Sequence, residues 1–77
     1  MQRIKLIWDF RGPAAKQTAT HHQKHLDEYA LAEAITAPIT GTETISEFHH
    51  LAYLVVNPEE MKSVRDALKP HRGQHYQ

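Results

Sequence analysis

The segment Leu51-Ala52-Tyr53-Leu54-Val55-Val56 constrains the fold of this chain more than any other. An unbroken run of apolar and β-forming residues of this length reads as a strand. Alternation then puts Leu51, Tyr53 and Val55 on one face and Ala52, Leu54 and Val56 on the other. A strand that is apolar on both faces needs cover on both.

The rest of the chain supplies cover for one face. Ile4-Lys5-Leu6-Ile7-Trp8-Asp9-Phe10 alternates as a first strand, with Ile4, Leu6, Trp8 and Phe10 pointing one way and Lys5, Ile7 and Asp9 the other. Arg11-Gly12-Pro13 stops it and sets Pro13 at the first position of a helix predicted to run to about Ile35. Ala15, Ala19, His22, Leu26, Tyr29 and Ala30 make the apolar stripe of that helix, and Pro38 ends it. Thr40 to Ile45 is a short second strand, joined to Leu51–Val56 by a turn near Ser46-Glu47-Phe48-His49. Asn57-Pro58-Glu59-Glu60 opens a second helix, with Met61, Val64 and Leu68 at helical spacing until Pro70. Residues 72–77 are polar and read as a flexible tail or a short strand. The predicted fold is therefore a single α+β domain over 1–77. Its order is β-α-β-β-α, with an antiparallel sheet, two helices on one face, and a fourth strand missing or very short.

Size sharpens the covering problem. A chain of 77 residues buries only about 60 % of its unfolded surface, so small domains lean on disulfides, metals or association. There are no cysteines, which excludes disulfides and thiolate metal sites and fits a reducing compartment. Two helices reach one face of a three-stranded sheet; the other face calls for a second protein surface. A second copy is the expected partner, giving a homodimer. The alternative is that the C-terminal residues fold back as the lid.

His49-His50-Leu51-Ala52-Tyr53-Leu54-Val55-Val56, followed by Asp66-Ala67-Leu68-Lys69-Pro70-His71, is similar to the strand–helix–Pro-His stretch of stress-responsive members of the dimeric α+β barrel superfamily. The order of elements resembles that ferredoxin-like superfamily over most of the chain. The likeness implies a fold in which two sheets face each other and a cavity. It implies no reaction, since the superfamily includes monooxygenases, isomerases and proteins of unassigned role.

Charge narrows the partners. Nine basic and nine acidic residues cancel, and no Lys/Arg cluster marks a phosphate-backbone reader, so nucleic acid is not expected. The Ile4–Phe10 run is too short and too polar for a membrane span or a signal peptide, which makes the cytoplasm the expected location. No Gly-rich phosphate loop, nucleophile elbow or serine triad is present, and no cofactor is predicted.

Seven histidines are the compositional oddity. His22 lies in the apolar stripe of the first helix, where an imidazole costs desolvation unless its nitrogens are bonded. It reads either as a core histidine bonded to Glu33, Tyr53 or a carbonyl, or as a neutral catalytic base. Trp8, His50 and Tyr53 are the expected companions of His22 around a small organic ligand, and Arg11 beside the first helix start is a candidate anion contact. His21, His25 and Glu28, at i, i+4 and i+7, form a different set: a divalent-metal site in the alternative reading, a solvated face otherwise. Three functions follow as expectations: a small-ligand-binding or enzyme-like dimeric barrel, a histidine-based metal binder, or a non-catalytic interaction module.

Overall fold

A computed structural model of the chain describes residues 2–76; Met1 and Gln77, the ends of the expected domain and tail, lie outside them. The order of elements is β1 (Arg3–Arg11), α1 (Ala15–Ala32), β2 (Ile39–Ser46), β3 (His49–Val56), α2 (Pro58–Leu68) and β4 (Arg72–Tyr76). The four strands form one antiparallel sheet in the order β2-β3-β1-β4. This is an α+β architecture compatible with a ferredoxin-like fold. The C-terminal residues resolve the choice between tail and strand: five of them pair with β1, from Arg3 opposite Tyr76 to Ile7 opposite Arg72.

Both helices cover the same face. Leu6 and Trp8 of β1 and Ala52, Leu54 and Val56 of β3 form one buried cluster with Leu26 and Ala30 of α1 and Val64 of α2. The stripe expected on α1 is the buried one, with His22 and Tyr29 half-buried at its margin. The indole N–H of Trp8 reaches the far end of α2 and donates to the Leu68 carbonyl at 2.9 Å, one of the last-turn carbonyls that no helical amide can satisfy.

The opposite face differs from what its sequence implied. Ile7, Leu51 and Val55 point there, yet are 1 %, 2 % and 0 % exposed within a single chain. Their cross-strand neighbours explain this. Ile7 lies between Tyr53 and Arg72, Leu51 between Asp9 and Glu43, and Val55 between Lys5 and Ile39. Lys5 pairs with Glu43 and Arg72 with Asp9 on this face, an arrangement in which long side chains cover apolar neighbours with their stems. A second copy is thus not needed to cover Leu51 and Val55.

Three helix-end expectations shift. α1 begins at Ala15 rather than Pro13: Gly12 takes φ +111° and its N–H donates to the Phe48 carbonyl, while Ala15 N–H bonds Gly12. α1 ends at Ala32 rather than Ile35. Ala34 adopts a left-handed φ of 52°, Ala34 N–H bonds Leu31 and Ile35 N–H bonds Ala30. That is the paired closure normally built on glycine, and it turns Ile35 back against the core. In α2, Asn57 occupies the cap position with Pro58 after it, but its side chain makes no cap bond; its Oδ1 accepts from Arg3 Nε at 2.9 Å.

Candidate functional site

The β2–β3 hairpin turns through Glu47-Phe48, with a register shift between Thr44 and Ser46. Neither turn residue has a positive φ, so the turn is not of the primed types whose twist suits a two-residue hairpin. The irregularity falls at Ile45, and the hairpin end stands beside the first half of α1. Between them lies a groove of about 840 Å³, the size of a small-ligand site. Pro13 and Phe48 form its apolar walls, Lys16, His21 and Lys24 line it from α1, and His50 lines it from β3. His50 is 8 % exposed, the one buried polar residue among the described residues, and its Nδ1 lies 3.1 Å from the Thr44 hydroxyl.

His22 is not a wall of this groove. Its ring packs against Trp8 at 5.0 Å and Phe10 at 5.4 Å between centroids. Its Nε2 is enclosed without a hydrogen-bond partner among the described residues, and neither Glu33, Tyr53 nor a carbonyl satisfies it. Burial holds its pKa below the ordinary histidine value, and the neighbouring imidazoles of His25, His71 and His21 push the same way. The ring is thus packed among aromatics and lies outside the lining of the groove.

The expected companions separate. Trp8 and His50 share the helix-covered face with His22, but Tyr53 points to the other face, because three positions separate it from His50. There its ring lies against Gly41 with Lys5 Nζ 4.3 Å from its centroid. Arg11 is exposed at the end of β1, in register with His49. It does not line the groove, and the Gly12 amide beside it is already taken by Phe48.

His21, His25 and Glu28 follow one another along α1 without converging. His21 Nε2 and His25 Nε2 are 2.9 Å apart, whereas Glu28 approaches the opposite nitrogen of His25, Nδ1, at 3.6 Å. Among the described residues no group of three or more histidine, aspartate or glutamate side chains is placed to hold a metal ion.

A cluster that sequence reasoning missed lies on the face opposite the helices. Asp9 accepts from Arg72 through both oxygens, at 2.9 and 3.1 Å, and its Oδ1 is 2.8 Å from His49 Nε2. The Arg72 bonds, and after them His49, hold the Asp9 carboxyl well below the usual carboxylate range, against an opposing push from burial. The cluster ties β1, β3 and β4 together. The available signal was a lone aspartate in an apolar strand, but its partners depend on a register that spacing does not fix.

No helix among the described residues is long and apolar enough to cross a membrane. No protein-family description, curated protein or solved structure matches this chain.

Proposed function

We propose that the protein binds a small organic anion in the groove between α1 and the β2–β3 hairpin. The observation that carries this reading is the composition of that groove: apolar walls from Pro13 and Phe48, a rim on which Lys16 and Lys24 outnumber the one carboxylate, Glu47, and the buried His50. An apolar surface with a few polar groups suits a ligand with a hydrocarbon body and a carboxylate or similar head. The lysines supply attraction to the head, and Phe48, 53 % exposed when nothing covers it, gains burial when a ligand does. Thr44 engages one nitrogen of His50, leaving Nε2 as the ring atom for a ligand.

Benzoate and hexanoate, titrated separately into labelled protein, test the reading by amide chemical shifts. The expected result is saturable shifts confined to the first half of α1 and the hairpin end. A Lys16→Glu/Lys24→Glu double variant should weaken binding at least fivefold. No saturable shifts, or shifts elsewhere, would overturn it.

Two such sheets laid face to face, the arrangement of the resembled superfamily, would bring together the faces bearing the Asp9–Arg72 and Lys5–Glu43 pairs. A polar, internally paired face makes a weak interface. The expected light-scattering mass therefore rises from one chain towards two with concentration. A mass of one chain throughout would exclude that pairing and leave the groove, which one chain completes, untouched.

A further inference from the structure

We propose that His21 and His25 form a two-point clamp for a divalent transition-metal ion of the cupric or nickel type. The two residues are one helical turn apart on the exposed flank of α1. Their rings stand edge to face, with centroids 4.6 Å apart and an interplanar angle of 74°. The nitrogens that face each other are both Nε2, at 2.9 Å. In the free protein this is a hydrogen bond, with the proton on one of the two Nε2 atoms. A metal ion takes the place of that proton, which moves to Nδ1 of its ring, and both Nε2 lone pairs are then available to the ion.

The separation matches one coordination angle. With metal–nitrogen bonds of about 2.0–2.1 Å, a 2.9 Å spacing subtends about 90° at the metal. That is the angle between neighbouring positions in square-planar, tetragonal or octahedral coordination, the geometries of Cu2+ and Ni2+. A tetrahedral zinc site needs a wider angle, near 109°, and so a longer spacing. The clamp supplies two ligands and leaves the remaining positions to water or a small anion. His21 also lines the groove, so the ion sits at the groove's rim.

Glu28 has a definite part in this arrangement, and it is not that of a ligand. Its Oε1 lies 3.6 Å from His25 Nδ1, on the side away from His21. There the carboxylate favours the Nδ1–H tautomer that frees Nε2, as outer carboxylates do for metal-bound histidines. The helix beneath is fixed by buried Ala15, Ala19, Leu26 and Ala30, so the two Cα positions are held one turn apart.

The test is calorimetric titration of untagged protein with CuCl2, NiCl2 and ZnCl2 at pH 7.5, with His21→Gln, His25→Gln, Glu28→Gln and the control His75→Gln. Both clamp residues are exposed, so the variants should fold, and circular dichroism checks this. The proposal expects one Cu2+ or Ni2+ per chain and a loss of at least tenfold in affinity for either clamp variant. Glu28→Gln should lose about threefold and His75→Gln nothing. Paramagnetic broadening by sub-stoichiometric Cu2+ should centre on residues 21–28. Unchanged affinity in both clamp variants, broadening centred elsewhere, or tighter binding of Zn2+ than of Ni2+ would overturn it.

Discussion

Adding one methyl group at Gly41 tests the packing of the sheet's outer face. A Cβ there would stand 2.5 Å from the Tyr53 hydroxyl, 2.7 Å from Cζ and 2.9 Å from Cε2, all inside contact distance. Gly41 has no positive φ, so the backbone accepts alanine without strain. In an open strand the exchange would stabilise by about 0.5–1 kcal/mol. Here the ring must swing off β2 instead. It then loses a cross-strand aromatic contact worth about 0.2–1 kcal/mol and its cation–π contact with Lys5, about 0.5–1 kcal/mol. It also uncovers part of Ile7, its direct neighbour on β1. The sum is about 1–2 kcal/mol lost against the smaller gain, so Gly41→Ala should destabilise by about 0.5–1 kcal/mol. In a Tyr53→Ala background there is no ring to displace, and the same change should stabilise. Urea denaturation of the four members of the cycle measures both signs. The same sign in the two backgrounds, or a coupling below about 0.5 kcal/mol, would refute the packing argument.

Ala34→Gly should stabilise the fold by about 0.5–1 kcal/mol, because Ala34 holds a left-handed φ of 52° that costs an L-residue about 1–2 kcal/mol; for a chain this size the midpoint of thermal unfolding should rise by about 4 °C. Asp9 should make stability depend on acid. Its folded pKa lies below the unfolded value of about 3.9, so its contribution is complete above that value and lost as pH falls through the folded one. The stability gap between the wild type and Asp9→Asn should therefore be constant above about pH 5 and narrow steadily below about pH 4. A gap that stays constant down to pH 2.5 would contradict the Arg72 pairing.

The parts of the fold legible in the sequence are those whose side chains carry a period. β1 and β3 alternate or run apolar, and α1 repeats alanine and leucine at helical spacing, so their existence and inward faces follow from local pattern. β4 does not announce itself, because Arg72-Gly73-Gln74-His75-Tyr76 has no apolar face to bury. It is a strand because β1 offers a free backbone edge, and paired amides and carbonyls on a partner strand stand in for the missing period. The end of α1 was hidden for the opposite reason. Alanine is the strongest helix former, so nothing in Ala32-Glu33-Ala34 signals a stop. The stop comes from Ile35, whose burial against the core requires the chain to reverse there.

The sites divide along the same line between what spacing fixes and what register fixes. His21 and His25 belong to one helix, so their proximity follows from i, i+4 geometry and was legible; only the direction of each ring, which puts Glu28 on the far nitrogen, required the structure. Tyr53 and His50 also belong to one element, and the parity of a strand already assigns them to opposite faces. The groove and the Asp9 cluster join elements far apart in the chain: Lys16 and His50 on one side of the sheet, Asp9, His49 and Arg72 on the other. Their assembly depends on Arg11 standing opposite His49 and Ile7 opposite Arg72. A shift of one residue in either pairing would turn the same side chains to the wrong face. The apolar residues of β1 and β3 select that register by burying Leu6 and Leu54 together under the helices. The core therefore fixes which polar groups meet on both faces, and a substitution that loosened the Leu6–Leu54 pairing would weaken the groove and the Asp9 cluster together, although they lie on opposite faces of the sheet.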